Sequence, residues 1–255
     1  MSPEQLLDGV VVVLVRARNP GNIGAVARAM HDFGFRHLRI VNDYAVPFEE
    51  ARAAVDAAGV LASAKSFASV AEAVADCTLV VGTTAVGERA LEHPLHALPE
   101  ASSLIHEELA SENARVALLF GSEKTGLSNE ELSHCHWLLT IPMHEHEDLR
   151  HPSMNLGQAA AVCLYELVRW PGEQAALGIR EAASAGEVER LLALFRQTLE
   201  STGYMRRHPA NCSEADLRRL VLRMGLSAAD VPIWMGVLRQ ILWKIEGESE
   251  ANQRE

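Results

Sequence analysis

The chain has little of what marks a secreted or membrane-spanning protein. Its four cysteines in 255 residues form no C-x-x-C pair, so we expect reduced thiols in the cytoplasm. The N-terminus has neither the basic nor the apolar segment of a secretory signal. The longest apolar run, Val10–Val15, is far too short to span a bilayer. We therefore expect a cytoplasmic protein that does not contact membranes.

Three absent motifs exclude common kinds of site. The sequence has no dinucleotide G-x-G-x-x-G, which argues against a Rossmann-like oxidoreductase, and no Walker A loop. A metalloprotease-like H-E-x-x-H helix is also missing. The stretch from His144 to Asp148, with His151 behind it, keeps metal binding open as an alternative. Because this stretch follows Pro142 in a predicted loop, we favour a solvated acidic loop and expect no metal.

The chain also lacks an excess of positive charge. Its net charge is −11, with 23 Lys and Arg against 34 Asp and Glu, which is unusual for a nucleic-acid-binding protein. Most of the negative excess lies in residues 1–171. Beyond them, basic residues cluster at Arg206, Arg207 and His208, and again at Arg218, Arg219 and Arg223. Such clusters can contact phosphates, and the alternative is a solvated helix face.

The apolar pattern of residues 1–171 predicts a parallel α/β sheet with flanking helices, since short apolar strands alternate with helical segments. The strands are expected at Val10–Val15, Leu38–Val41, Leu79–Val81, Val116–Phe120 and Leu138–Ile141. Ser69 with Glu72, and Ser128 with Glu131, have the spacing of helix capping boxes. A long helix is expected from Asn155 to Trp170.

Pro171 and Gly172 end this pattern, and we place a linker at residues 172–186. Three helices are predicted beyond it, at about 187–199, 214–224 and 231–245. They would form a small all-helical module over residues 187–247. The polar tail, residues 248–255, is expected to fray.

The first of three motifs is NPGNIGAVARAM, from Asn19 to Met30, which predicts a tight turn between a strand and a helix. Free N–H groups at a helix start favour an anion, and Asn22 is suited to cap the helix. A plain turn is the alternative interpretation. Arg28 lies further along the helix, where a surface arginine is the simplest interpretation.

The other two motifs also combine a loop with a regular element. In LLFGSEKTGLSNEEL, Gly121 and Gly126 bracket a loop whose backbone could line a ligand. Glu123 would repel phosphate, which disfavours a nucleoside triphosphate. In HPSMNLGQAAAV, from His151 to Val162, Ser153 precedes a strongly helical run and could be its N-cap.

In order and spacing the three motifs resemble the SPOUT class of S-adenosylmethionine-dependent RNA ribose methyltransferases. The match is best with the branch that modifies cytidine and uridine in the tRNA anticodon loop. The resemblance covers essentially the whole chain. It implies a sheet domain over residues 1–171 with a C-terminal trefoil knot, a helical tRNA-binding extension and a homodimer.

The function implied by this resemblance is methyl transfer from S-adenosyl-L-methionine to a ribose 2′-hydroxyl of tRNA, at cytidine or uridine 32, with no binding of DNA. Methylation of ribosomal RNA or of another tRNA position is an alternative. A non-catalytic RNA-binding protein of the same fold is a further one.

The resemblance also implies roles for single residues. Arg28 would be catalytic, with Ser153 and Asn155 framing the ribose. The cofactor would contact Thr83, Thr84, Ala85, Gly121, Ile141, Pro152, Ser153 and Met154. RNA would contact Asn22, Arg28, Arg206, Arg207, Arg218 and Arg219.

The family's assignment of Arg28 as general base meets a physical objection. Moving an arginine pKa from about 12.5 to near 7 costs roughly 7 kcal/mol, and a neighbouring phosphate opposes the shift. We therefore expect the Arg28 guanidinium mainly to orient the target phosphate and ribose and to stabilise developing oxyanion charge.

Overall fold

The structure is a computed structural model that describes residues 3–42, 57–85, 92–144, 153–169 and 181–252. Its strands are β1 (Val10–Val15), β2 (His37–Val41), β3 (Lys65–Phe67), β4 (Leu79–Thr83), β5 (Leu95–Ala97), β6 (Val116–Phe120) and β7 (Trp137–Thr140). Its helices are α1 (Pro3–Gly9), α2 (Pro20–Asp32), α3 (Ala58–Ser63), α4 (Val70–Val74), α5 (Leu98–Leu109), α6 (Asn129–Leu132), α7 (Leu156–Val168), α8 (Ala185–Ser201), α9 (Tyr204–Arg207), α10 (Glu214–Arg223) and α11 (Asp230–Asn252). A short 3-10 helix covers Pro209–Asn211.

The strands form one sheet in the order β3-β2-β1-β6-β4-β7-β5, and every pair is parallel. The predicted parallel α/β architecture is confirmed. Because all strands run the same way, the loops that follow β1, β4, β6 and β7 lie at one edge of the sheet. Ligands of open parallel sheets bind outside this carboxyl edge.

The central strand β1 explains why an unbroken apolar run is needed. All six of its residues are at most 1% exposed. Val10, Val12 and Leu14 belong to the core on one face of the sheet, whereas alternate residues such as Val11 and Val13 belong to the core on the other. A strand covered on both faces has no solvent side on which polar residues could alternate.

The edge strands β3 and β5 were not predicted, nor was α5. Each edge strand has three residues that are mostly exposed, so neither carries the continuous apolar run of an inner strand. Short, partly polar edge strands limit pairing with other chains. Because they lack an apolar run, the sequence pattern does not indicate them.

Two predictions about the residues that cap helices are wrong. Asn19, not Asn22, is the N-cap of α2, since its side chain accepts a hydrogen bond from the N–H of Gly21. Asn155, not Ser153, caps α7 through the N–H of Gly157.

The predictions that Ser69 and Ser128 cap helices are confirmed. Ser69 accepts a hydrogen bond from the N–H of Glu72, and Ser128 forms a full capping box with Glu131.

The helical module packs around its own apolar core, which α8, α10 and α11 supply. Its first helix begins inside the predicted linker, at Ala185, because Ser184 caps it in a capping box with Glu187. The N–H groups of Ala185 and Gly186 also bond to the carbonyls of Cys77 and Ala75 in the sheet domain. At the other end, α11 continues to Asn252, through most of the tail that was expected to fray.

The predicted trefoil knot depends on the path from β7 to α7. Residues 145–152 of this path lie outside the described residues, so the knot remains a prediction. Within the ranges described here, no helix is long and apolar enough to cross a membrane.

Candidate active site

Loops from the second and third motifs meet the loops after β4 and β7 at the carboxyl edge of the sheet, around a cavity of about 590 Å³. The size is in the range typical of small-molecule sites. The first motif does not line this cavity but is hydrogen-bonded to the other two. The cavity lies between the ends of β4, β6 and β7 on one side and the start of α7 on the other. Its lining residues are Thr83, Thr84, Ala85, Phe120, Gly121, Ser122, Glu123, Lys124, Thr125, Gly126, Leu127, Leu132, Leu139, Ile141, Met143, Ser153, Met154, Leu156 and Ala159.

Seven of the eight residues expected to contact the cofactor line this cavity: Thr83, Thr84, Ala85, Gly121, Ile141, Ser153 and Met154. The eighth, Pro152, lies outside the described residues. The apolar part of the wall, which includes Leu127, Leu139 and Met143, was not predicted from the sequence. These residues look like ordinary core residues in the sequence, and only the fold brings them to the cavity.

The loop after β6 is shaped by two glycines. A Cβ on Gly121 would lie 2.2 Å from backbone atoms of Gly126 and Leu127, so any side chain there would force the loop open. Gly126 has φ +65°, a left-handed conformation that favours glycine. Its N–H bonds to the carbonyl of Ser122, which closes the loop. The backbone therefore forms the cavity wall here, as the sequence predicted.

The helix N-terminus of the first motif is already occupied by an anion from the chain itself. The Glu123 carboxylate accepts hydrogen bonds from the N–H groups of Arg18 (3.4 Å) and Asn19 (3.2 Å) and from Asn22 Nδ2 (3.1 Å). Burial alone would raise the pKa of Glu123, but these donors outweigh it and hold the pKa below its ordinary value. The turn thus binds a protein carboxylate where an external anion was considered.

Asn22 connects the first motif to the third as well as to the second. Its Oδ1 accepts a hydrogen bond from Asn155 Nδ2 at 3.0 Å, while its Nδ2 donates to Glu123. Asn155 in turn caps α7. Two predicted substrate residues, Asn22 and Asn155, are therefore brought together by the fold. Glu123 was not predicted as their partner, since its hydrogen bonds span about a hundred residues of sequence.

Arg28 lies on the exposed side of α2 and is not part of the cavity wall. One turn before it, Ala25 packs so closely on α7 that a Cβ on Gly157 would lie 2.6 Å from the Ala25 Cβ. The helix that carries Arg28 is thus held directly against the helix that opens with Asn155.

The expected RNA-binding arginines fall into two groups. Arg206 and Arg207 are exposed on α9. Arg218 is 3% exposed, and its guanidinium donates to Glu189 Oε1 at 2.9 Å and to Ser133 Oγ at 2.7 Å, next to Glu130 and Glu214. The expectation that Arg218 contacts RNA is corrected by this burial, because the arginine instead joins the helical module to the sheet domain.

Arg219 is also paired. Its side chain is 13% exposed and bonds to Glu92 and Asp216. A phosphate would have to displace these carboxylates to reach it. Arg218 and Arg219 are therefore not part of the open phosphate-binding surface that the sequence suggested, whereas Arg223 of the same cluster is exposed.

Fold and site together define an α/β protein with a ligand cavity at the carboxyl edge of a parallel sheet. Residues 9–165 match the SpoU rRNA Methylase family. The tRNA (cytidine/uridine-2′-O-)-methyltransferase TrmJ of Escherichia coli K12 is 34% identical over 258 residues, covering 98% of this chain and 100% of that one. The chain therefore belongs to the SpoU methylase family.

Solved structures agree with this assignment. TrmJ from Z. mobilis ZM4 is 30% identical, with a TM-score of 0.76 over 91% of this chain and 98% of that one. A putative methylase family protein from Neisseria gonorrhoeae is 29% identical, with a TM-score of 0.65 over 76% and 97% of the two chains. The predicted SPOUT-type fold is thus confirmed.

SpoU methyltransferases use S-adenosyl-L-methionine, and the cavity fits this cofactor. A backbone-lined loop at Gly121 permits close approach of a ligand, and the neighbouring wall of Leu127, Leu139 and Met143 is apolar. Thr84 and Ser153 add polar groups to the lining. Such a mixture of apolar walls and a few placed polar groups is typical of cofactor sites.

Proposed function

We propose that this protein transfers a methyl group from S-adenosyl-L-methionine to the ribose 2′-hydroxyl of cytidine or uridine in tRNA, at position 32 of the anticodon loop. The observation that carries the proposal is one backbone-lined cavity formed by the second and third motifs, to which Asn22 of the first motif is joined by its bonds to Glu123 (3.1 Å) and Asn155 (3.0 Å). The near full-length similarity to TrmJ of Escherichia coli supports the substrate class.

The site's residues divide into a cofactor side and a substrate side. We assign the loops at Thr83–Ala85, Gly121–Gly126 and Ile141, with Met154, to the cofactor. When bound, S-adenosylmethionine supplies an electrophilic methyl group and leaves as a neutral thioether. Ser153, at the cavity wall, and Asn155, bonded to Asn22, would frame the ribose.

Catalysis by alignment suits this arrangement. Holding two reactants in an attack geometry can supply roughly 7–11 kcal/mol without any covalent intermediate. The chain's contribution is then to hold the loop backbone, Asn22 and Asn155 in place before the substrates arrive. Arg28, on the exposed side of α2, would bind the target phosphate and stabilise negative charge that develops on the ribose oxygen.

For RNA docking we retain Arg206 and Arg207 and set aside Arg218 and Arg219. The first pair is exposed, and the second is committed to carboxylates. Exposed arginines on an otherwise acidic chain provide a local phosphate-binding patch whose contribution should weaken with salt.

We further propose that the protein works as a cytoplasmic homodimer. Tyr165 and Val168, on the later part of α7, are 50% and 37% exposed, although they lie on a largely apolar helix. Apolar side chains left exposed on such a helix suit contact with a second copy. Light scattering coupled to gel filtration measures the mass, and a monomer at micromolar concentration contradicts the dimer.

Mass spectrometry of nucleosides tests the activity. The protein is incubated with S-adenosylmethionine and unmodified tRNA, and we expect 2′-O-methylated cytidine or uridine, located at position 32 by fragment analysis. A tRNA with adenosine at position 32 is the matched control. Product only in ribosomal RNA, or at another tRNA position, would replace the proposed target. RNA binding without methylated product would favour the non-catalytic alternative.

A further inference from the structure

Arg16 directly follows β1 and has a backbone conformation that is unusual for its residue type. Its φ is +56°, in the left-handed region that most side chains avoid. Its N–H bonds to the carbonyl of Val41 at 2.8 Å, so the conformation is held by the neighbouring strand. A glycine could adopt this conformation at lower cost. An arginine here therefore suggests that the side chain contributes something that offsets the backbone strain.

The Arg16 side chain reaches across to the loop that lines the cofactor cavity. Its Nε and Nη2 donate to the two oxygens of Glu131 at 2.5 and 2.9 Å, and Nη2 also donates to the carbonyl of Gly126 at 3.1 Å. Glu131 is itself fixed, because it accepts a hydrogen bond from the N–H of Ser128 at 2.6 Å as part of the capping box of α6. A bidentate pair of this kind sets direction as well as distance.

The carbonyl that Arg16 holds belongs to the most tightly packed part of the loop. Gly126 is the residue whose backbone approaches Gly121 so closely that no Cβ fits between them. A shift of Gly126 therefore moves Gly121 and Leu127, which both line the cavity. At the other side of the same loop, Glu123 is held by the N–H groups of Arg18 and Asn19. Residues 16–19 thus hold the loop at two points.

We propose that Arg16 is a positioning residue for the cofactor site, acting through Gly126 and Glu131 to fix the loop from Gly121 to Gly126. It does not line the cavity itself. The inference rests on the proposed function in taking S-adenosylmethionine as the ligand of this cavity. It goes beyond that function in assigning loop geometry to a strand-end arginine outside the three motifs.

Two substitutions separate positioning from general stabilisation. Arg16→Gly removes the guanidinium but also the backbone strain, so these effects on folding oppose each other and the Tm should change little. Arg16→Lys keeps the charge and loses the planar fork. Arg115→Gln is the matched control, since Arg115 is equally exposed, at 33%, and also pairs with a carboxylate, Asp76 at 2.8 Å. Arg115 precedes β6, at the opposite edge of the sheet.

The first measurements use the protein without RNA. Calorimetric titration with S-adenosylhomocysteine should give a Kd about tenfold higher for Arg16→Gly, as expected for losing one charge-assisted hydrogen bond at the loop. Arg16→Lys should give a smaller increase, and Arg115→Gln none. Hydrogen exchange of the ligand-free protein should be faster in peptides covering residues 121–132 for Arg16→Gly alone.

Steady-state kinetics then separate a change in the KM for the cofactor from changes in kcat, which a general folding defect would not do. We expect the KM for S-adenosylmethionine to rise about tenfold in Arg16→Gly, while kcat and the KM for tRNA stay within about twofold. Glu131→Gln should also raise the KM for S-adenosylmethionine. The double variant should raise it little further than Arg16→Gly alone, because both changes break the same Arg16–Glu131 pair.

An unchanged Kd and unchanged loop exchange in Arg16→Gly would overturn the proposal, as would equal losses in Arg115→Gln. These outcomes differ from failure of the proposed function. Wild-type protein that binds S-adenosylhomocysteine but methylates no RNA contradicts the proposed activity and leaves the role of Arg16 intact. If the wild type binds no S-adenosylhomocysteine, the cofactor assignment fails, and loop exchange alone decides for or against Arg16.

Discussion

Arg28 presents a chemical choice between proton abstraction and anion binding. Its side chain lies on the exposed side of α2. A charged guanidinium cannot accept a proton, but it can bind a phosphate and a developing oxyanion through a planar fork of donors. The position of the side chain therefore suits a clamp better than a base.

Substitution of Arg28 tests this choice. We expect Arg28→Ala to lower kcat on tRNA by at least about 100-fold, as loss of a transition-state donor does elsewhere, and Arg28→Lys to recover only part of it. The Kd for S-adenosylhomocysteine should not change in either variant. Single-turnover rates with saturating tRNA provide the measurement.

Arg36→Lys, at an exposed arginine just beyond α2, is the control for Arg28→Lys. Near-normal turnover in Arg28→Lys would contradict the emphasis on the guanidinium fork. A rate that rises with pH in wild type but not in Arg28→Lys would restore the general-base role.

At the scale of elements, His136 links β4 and β7 at their amino ends, at the edge of the sheet opposite the cavity. The backbone N–H of His136 donates to the carbonyl of Val80 at 2.8 Å, and the ring Nδ1 accepts a hydrogen bond from the Val80 N–H at 3.0 Å. Burial lowers the pKa of His136 from 6.5 to about 4.

This shift predicts a pH dependence of stability. Between pH 4 and pH 6.5 the unfolded chain binds the proton more readily than the folded one. The stabilisation is fully present above pH 6.5 and is lost as the pH falls towards 4, by at most about 1.4 kcal/mol per pH unit.

Urea unfolding at several pH values measures this dependence. His136→Asn keeps an acceptor near the position of Nδ1 but does not titrate, so its free energy of unfolding should fall less between pH 6.5 and 4. Identical pH profiles for the variant and wild type would show that His136 does not carry the effect.

For the molecule as a whole, a net charge of −11 requires that tRNA binding depend on local basic surfaces. The arginines of the helical module have two distinct uses. Arg206 and Arg207 are exposed, whereas Arg218 joins α10 to Glu189 of α8 and to Ser133 of the sheet domain. Sequence alone gives both clusters the same appearance.

Substitutions should separate these uses. Replacing Arg206 and Arg207 by Ala should raise the Kd for tRNA and leave stability unchanged. The dependence of log Kd on log salt concentration should become shallower, by an amount that corresponds to at most about two phosphate contacts. Arg218→Ala should instead lower the free energy of unfolding by about 2–3 kcal/mol, because it removes the buried guanidinium that donates to Glu189 and to Ser133 Oγ across the domain contact. Fluorescence anisotropy and urea unfolding measure the two effects.

Arg196→Gln, at an exposed arginine of α8 paired with Glu200, is the control for charge removal in the module. If Arg218→Ala weakened tRNA binding at a temperature where it is fully folded, its assignment to domain packing would be wrong. Unchanged binding in the Arg206 and Arg207 variant would move the RNA surface elsewhere.

The sequence by itself determined the inner sheet, the capping serines at Ser69 and Ser128, and the glycine-bounded loop from Gly121 to Gly126. These depend on short-range rules: a strand buried on both faces must be apolar, and a loop pressed against its own backbone must contain glycine. Only the tertiary structure decided that Glu123 occupies the start of α2, that Arg16 holds Gly126, and that Arg218 is buried. Each of these pairs residues about 90 to 115 positions apart. Charged side chains are compatible with both solvent and a partner, so their local sequence does not determine which they meet.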